Sequence, residues 1–271
     1  MVTNNTASVI VSTYNWSQAL SCVLQQLSLQ TCSDFELIIA EDSDFAENAK
    51  VTQSFKSRFN SILHLTQKDL GFRKTRILNR AARCASGEYL IFIDGDILVH
   101  PKFIEDHMRH MHTGRYLQGG RFMLNSRQTA RILNLKKEPR FPFISSAINS
   151  ISHGGFAYES RRSVRKGTRG CNFSVHKSDF LAVNGFDEQF KGWGLEDTEL
   201  ICRLINSGVR RYDLRAAGIA LHMHHKINSR SEGLNTNIKL LEETINQNKI
   251  WTDHGLSQPK QQSNVIFKRI K

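Results

Sequence analysis

Short apolar runs alternate along this chain with stretches in which apolar residues return every three or four positions. Ala7-Ser-Val-Ile-Val-Ser12, Phe35-Glu-Leu-Ile-Ile-Ala40, Ser61-Ile-Leu-His-Leu-Thr66 and Tyr89-Leu-Ile-Phe-Ile-Asp94 have strand length and many β-branched residues. Nearly continuous apolar strands of this kind are buried on both faces. Between the first two, Ala19, Leu20, Val23, Leu24 and Leu27 predict a helix ending near Thr31, with Asn15 or Ser17 as its cap. A second helix is predicted through Val51 to Phe59. A third runs from about Phe72 to Cys84, with Ile77, Leu78, Ala81 and Ala82 inward and Gly87 as its stop. The order β-α-β-α-β-α-β predicts an α/β fold with a mostly parallel sheet and right-handed crossovers.

The pattern changes after Pro101. A helix to His112 is predicted, with Phe103, Ile104, His107, Met108 and Met111 on one face, then a strand from Tyr116 to Leu124. Arg140 to Thr168 is rich in Ser, Gly and Arg and is long enough for a functional loop or lid. Gly170 to Val175 predicts a strand and Lys177 to Val183 a helix. A helix beginning near Glu196 has Leu200, Ile201, Leu204 and Ile205 as its apolar face and Gly208 as its stop. A strand is expected over Ala216 to Leu221, a mobile segment over Ile227 to Asn237 and a helix over Ile238 to Trp251. The residues from Pro259 are expected to be loosely held. The chain therefore divides into residues 1–100, 101–228 and 229–271.

Charge adds a requirement. The 271 residues carry a formal net charge of +12, which calls for an anionic partner: nucleic acid, an anionic membrane surface or a phosphorylated substrate. No apolar run approaches the ~18 residues of a membrane span, and Met1-Val-Thr-Asn-Asn-Thr lacks the layout of a signal peptide. Cys22, Cys32, Cys84, Cys171 and Cys202 are odd in number and form no Cys-x-x-Cys pair, which argues for a reducing compartment and against structural zinc. A cytoplasmic location follows as the expectation.

Candidate chemistry collects at strand ends, where ligands bind in open α/β sheets. The first strand ends in Thr13-Tyr14-Asn15, the second in Glu41-Asp42 and the fourth in Asp94-Gly95-Asp96. Paired carboxylates suit Mg²⁺ or Mn²⁺ beside a substrate diphosphate. Neither Gly-x-Gly-x-x-Gly nor Gly-x4-Gly-Lys-Ser/Thr follows a strand, so a dinucleotide fingerprint and a P-loop are both excluded. Arg73 and Arg76, in the first turns of the third helix, are suited to a diphosphate, as Arg80 and Arg83 further along are not. Glu196, Asp197 and Glu199 crowd another helix start, directly after Gly192-Trp193-Gly194. An indole beside carboxylates suits a sugar, whose apolar face stacks while its hydroxyls meet the acids. His222, His224 and His225 follow a predicted strand, where a histidine could complete a metal site begun by Asp96.

Together these motifs resemble the family 2 inverting glycosyltransferases of GT-A fold. The matching residues are Val11-Ser-Thr-Tyr-Asn15, Glu41-Asp42, Gly71-Phe-Arg-Lys74 with Asn79, Gly87 to Asp96, Gly170-Cys-Asn172 and Gly192-Trp-Gly-Leu-Glu-Asp197. The second half is similar to the galactosyltransferase-type C-terminal region also seen in a bacterial chondroitin polymerase. The resemblance covers residues 7 to 228 and implies a Rossmann-like central sheet flanked by helices, with a smaller acceptor-binding subregion. Residues 1–100 would be the nucleotide-sugar half, 101–228 the acceptor-binding and catalytic half, and 229–271 a helical, basic tail.

The resemblance also implies roles. Asp42 would bind the uracil or ribose, with Thr13, Tyr14 and Asn15 nearby; Asp94 and Gly95 would meet the ribose or sugar, and Asn172 would lie on the donor side. Asp96 would hold Mn²⁺ or Mg²⁺ with His222, and His225 is the alternative. Asp197 would be the catalytic base, and Glu196, Trp193 and Gly194 would hold the acceptor. Two departures from the family pattern are Glu41-Asp-Ser-Asp44 at the second strand and Leu78 before Asn79, where many relatives have arginine. Arg76 or Arg73 would then take over that contact. The implied partners are a UDP-sugar and a glycan acceptor, lipid-linked at the inner face of an anionic membrane. Two rivals are weaker. A sugar-1-phosphate nucleotidyltransferase would need a glycine-rich loop after the first strand, and a nucleic-acid-binding module would need stacking aromatics amid its basic residues.

Overall fold

The structure, a computed structural model, describes residues 7–134, 155–164, 166–226, 233–257 and 265–271. The first half runs β1 (Ala7–Thr13), α1 (Ser17–Leu27), β2 (Phe35–Glu41), α2 (Ala46–Ser54), β3 (Ile62–Gln67), α3 (Lys74–Cys84) and β4 (Tyr89–Asp94). Strands β3, β2, β1 and β4 lie side by side in that order and are parallel, as the alternation of strand and helix patterns predicts. All seven residues of β1 and of β2 are buried. Successive side chains point to opposite faces. In β4, Tyr89, Ile91 and Ile93 join one apolar core, and Leu90 and Phe92 join the other. The first core is packed by α1 through Ala19, Leu20, Val23, Leu24 and Leu27, and the second by α3 through Ile77, Leu78, Ala81 and Ala82. Each large apolar side chain so buried stabilises the fold by roughly 1.5–3 kcal/mol.

The second half contributes β5 (Ile97–Val99), α4 (Phe103–His110), β6 (Arg115–Gln118), β7 (Phe122–Met123), α5 (Ser126–Leu133), β8 (Phe156–Glu159), β9 (Asn172–His176), α6 (Lys177–Ala182), α7 (Glu196–Asn206), β10 (Arg210–Arg215), β11 (Ala220–His222), α8 (Leu234–Asn246) and β12 (Val265–Arg269). Among the described residues the large sheet has nine strands in the order β12-β3-β2-β1-β4-β9-β6-β10-β8. Strand β9 is antiparallel to both β4 and β6, so the sheet turns mixed beyond the parallel half. A small sheet, β5-β11-β7, stands apart.

Several boundaries differ from the sequence pattern for identifiable reasons. Trp16, not Asn15 or Ser17, precedes the first turn of α1, and no side chain caps it. Helix α2 stops at Ser54, and a 3₁₀ turn over Lys56–Arg58 carries the chain to Phe59. The stretch Tyr116 to Leu124 is two strands, because the chain crosses between sheets at Gly119 and Gly120. Met111 and Ile205, read as inward, are exposed. Strand β10 is unmarked in the sequence because three arginines and an aspartate obscure its alternation, and positive φ at Ala216 and Gly218 delays β11 to Ala220. The terminal residues, expected to be loosely held, include β12, which pairs antiparallel with β3 at the sheet edge. Residues 135–154, which hold most of the expected lid, and 227–232, in the segment expected to be mobile, lie outside the described residues.

A candidate active site at the ends of the parallel strands

Two short strands bring Asp96 and His222 together. Strand β5 starts one residue after Asp96, and its antiparallel register with β11 sets His222 against Ile97. The Met223 N–H donates to the Asp96 carbonyl at 3.0 Å, which fixes the pair further. Nδ1 of His222 lies 2.8 Å from the Met223 carbonyl, and Nδ1 of His225 lies 2.9 Å from that of Lys226. A carbonyl only accepts, so each Nδ1 is the donor and each Nε2 is left to face Asp96. Those two Nε2 atoms are 3.6 and 3.2 Å from Asp96 Oδ2. The three ligand atoms converge, all within 4.8 Å of one another. Asp96 Oδ1 is buried without a partner. Burial and the neighbouring Asp94 charge push the Asp96 carboxyl up to about 7, and burial beside Arg121 pushes His222 down to about 4. The environment disfavours charge on either group alone, and a divalent cation at that point would relieve both. One carboxylate with two imidazoles suits Mn²⁺ better than Mg²⁺, which prefers oxygen.

The other strand ends sit close by. Asp94 accepts from Ser12 Oγ at 2.9 Å and from Lys74 Nζ at 2.5 Å. Burial opposes its charge, but the Lys74 ammonium wins and holds the carboxyl below its usual range. Gly95 fits because its N–H donates to the Ser12 carbonyl and a Cβ there would lie 2.8 Å from Thr13 Oγ1. Thr13 is buried. Tyr14 is exposed and donates to Asp69 at 2.9 Å. Asn15, at φ 45°, accepts from Ser43 and ties the β1 and β2 ends together. Asp42 accepts from Gln67 Nε2 and from the Arg73 N–H, yet burial still pushes it up to about 6. Its neighbour Glu41 points elsewhere, into a buried set with Ser43, Asn48 and His64. Arg73 stands just before α3, and Arg76, one turn in, has a buried Nε without a partner. Arg80 is buried on Glu188 at 3.2 Å, so the basic stripe of α3 is not a free surface.

On the facing side, the chain enters α7 through three positive φ angles, at Gly192, Gly194 and Leu195. Leucine in the left-handed region is strained, and such strain collects at functional sites. The turn sets Glu196 and Asp197 as the first residues of α7. Asp197 accepts from the Gly170 N–H at 2.6 Å and from the Thr198 N–H at 2.6 Å, so it is held by the loop before β9. Glu196 is buried, its Oε2 has no partner, and burial beside Asp197 pushes it up to about 7. Glu199, read with the same acidic group, instead grips the fully buried Arg203 and anchors α7 from below. Trp193 is 44% exposed at the rim.

Two cations emerge that the sequence pattern marked weakly or not at all. Lys74 appeared there only within a motif; a lysine in a helix's first turn is disfavoured by the dipole, which was its signal. Arg121, at the start of β7's approach, donates to Cys171 Sγ at 3.0 Å and acts electrostatically on Asp94 and Asp96. Nothing in the run Tyr116 to Leu124 singled it out. Asn172, expected on the donor side, is engaged elsewhere in this structure. Asn172 is fully buried, donates to the Gly120 and Gly218 carbonyls and lies 3.1 Å from His107 Nε2, so its side chain joins the sheets instead of reaching a ligand.

Two family models match the chain. Residues 152–226 match the family model described as the N-terminal domain of galactosyltransferase. The chain is 28% identical over 222 residues to validoxylamine A glucosyltransferase of Streptomyces hygroscopicus subsp. jinggangensis, covering 74% of this chain and 52% of the relative. It is 25% identical over 264 residues to the chondroitin synthase of Escherichia coli, covering 88% of this chain and 38% of the relative. The chain thus spans about half the length of these relatives, or less. Among solved structures it is similar to S. aureus TarS residues 1–349 in complex with UDP-GlcNAc, with TM-score 0.58, 15% identity and coverage of 87% and 65%. It is also similar to GalNAc-T7 with UDP, GalNAc and Mn²⁺, with TM-score 0.62, 14% identity and coverage of 89% and 48%. At those identities the likeness speaks for the GT-A fold. Residues 8–167, more than half of the chain, match the model for Glycosyl transferase family 2, and with an α/β sheet whose parallel strand ends face an acidic helix start, this chain belongs to that family of glycosyltransferases.

Proposed function

We propose that this enzyme moves a hexose or N-acetylhexosamine from a UDP-sugar to a hydroxyl of a glycan acceptor, in one displacement that inverts the anomeric centre. The observation that carries the reading is the opposition of two acidic groups, Asp94 with Asp96 and Glu196 with Asp197, with the Lys74 ammonium acting on both. A divalent cation, Mn²⁺ by its donor set, would be held by Asp96, His222 and His225 and would supply Lewis-acid stabilisation of the departing diphosphate. Asp42 meets the uracil or ribose beside Thr13, Tyr14 and Asn15, and Asp94 with Gly95 meets the ribose or the sugar. Arg76, whose Nε lacks a partner, and Arg73 meet the diphosphate.

Asp197 takes the proton of the acceptor hydroxyl as that oxygen attacks the anomeric carbon. The new C–O bond forms on the face opposite the diphosphate, whose bond breaks with its electrons leaving on UDP. Glu196 accepts a hydrogen bond from the acceptor through its free Oε2, and Trp193 stacks beneath the sugar. An acceptor linked to lipid at the inner face of an anionic membrane would suit the +12 charge. No helix among the described residues is long and apolar enough to cross a membrane.

A panel of UDP-linked Glc, Gal, GlcNAc and GalNAc, with Mn²⁺ and oligosaccharide acceptors, tests the proposal, with proton NMR of the product. A β-linked product from an α-linked donor is expected, and Asp197→Asn should slow transfer by ~10²–10⁴-fold with folding intact. A retained α linkage, turnover of none of the four donors, or near-normal transfer by the variant would overturn it.

A further inference from the structure

Lys74 is the first residue of α3, and its Nζ lies 2.5 Å from Asp94 Oδ1. Its side chain is only 16% exposed. A lysine buried at a helix N-terminus is opposed both by desolvation and by the helix dipole. It is held charged there by acids arriving from two directions. Asp94 comes from the end of β4, and Glu196 and Asp197 come from the start of α7. The charged or titratable groups facing Lys74 are Asp42, Asp94, Asp96, Cys171, Glu196 and Asp197. Asp94 is pinned by Lys74 and Ser12, and Asp197 by Gly170 and Thr198, but Glu196 Oε2 has no hydrogen-bond partner. What restrains Glu196 electrically is the ammonium.

We propose that Lys74 is a positioning residue for sugar transfer: bonded to the donor-side carboxylate Asp94, it sets its ammonium between that group and the acceptor-side pair Glu196 and Asp197. This deepens the proposed transferase reading and rests on it for its catalytic part. The consequence is specific. A residue that only filled space would be replaced well by methionine and poorly by arginine. A residue that supplies a charge between two acid groups is replaced poorly by methionine and better by arginine. Because Lys74 acts on the acids more than on the donor, its loss should appear in kcat and not in donor KM.

Two measurements on the full chain test this. In steady-state kinetics with the best UDP-sugar, Lys74→Met should lower kcat at least 10-fold with donor KM within about threefold, and Lys74→Arg should recover most of the loss. The second measurement is independent of turnover: carbon-detected NMR titration of glutamate carboxyls, with Glu196→Gln assigning the signal. In Lys74→Met the Glu196 midpoint should move up by about one pH unit or more, as removal of a nearby opposite charge requires. Unchanged kcat, a loss confined to donor KM, no recovery with arginine, or an unmoved Glu196 midpoint in a folded variant would each overturn the inference. If the wild type turns over no UDP-sugar, the transferase reading fails while the titration still decides whether Lys74 governs Glu196.

Discussion

Glu196 shows how a single side chain can record a site. Its carboxyl is buried, one oxygen has no partner, and burial beside Asp197 pushes it up to about 7. Stability then depends on pH in a definite direction. Between about 4.5, the ordinary value, and about 7, the folded state holds a proton that the unfolded chain has already released. The contribution of Glu196 to stability is therefore full below that window, weakens as pH rises through it and is level above it. Over the whole window the effect is on the order of 3 kcal/mol. Glu196→Gln should flatten the fall in urea stability between pH 4.5 and 7.5, and an identical slope in wild type and variant would contradict the assignment. Asp42 and Asp96, also raised, act in the same direction, whereas buried His107, lowered to about 3, acts oppositely as pH falls below 6.5.

Among the elements, the parallel half of the fold was legible because its strands are nearly pure apolar runs and α1 and α3 keep three- and four-residue spacing, which the polar α2 does not. The small sheet was not. Strands of two and three residues carry no periodicity, so β5, β7 and β11 could be seen only once their partners were in register. That sheet is what brings His222 to Asp96, with His225 three residues on, so two histidines that the sequence offered as alternatives both lie beside Asp96 in the fold. The same limit hid the role of Asn172. Its motif placed it near the site, but its side chain joins the crossing at Gly119, where an added Cβ would lie 2.2 Å from Asn172 Oδ1. Gly119→Ala should accordingly destabilise the protein by ~2–4 kcal/mol in chemical denaturation, since neither the backbone nor a fully engaged side chain can move away. A denaturation midpoint equal to that of the wild type would show that the crossing is looser than its contacts imply.

For the molecule as a whole, the proposed site lies where the parallel strands end, opposite the start of α7. The acids are gathered at the parallel strand ends and at the mouth of α7, while the net charge of the chain is strongly positive. An enzyme so charged can draw in a nucleotide diphosphate or rest on an anionic surface, and still keep a locally acidic pocket for a cation. Arg121 and Lys74 escaped a reading by element because long cationic side chains reach across boundaries that sequence spacing does not mark. In the proposed function, Asp96, His222 and His225 form one cation-dependent donor site. Calorimetric titration of UDP into the metal-stripped protein, with and without Mn²⁺, tests it most directly. Binding that requires Mn²⁺, is lost in Asp96→Ala and is weakened by at least tenfold in His222→Ala is expected. UDP binding that is equally tight in the presence of a chelator, and unchanged in Asp96→Ala, would contradict it.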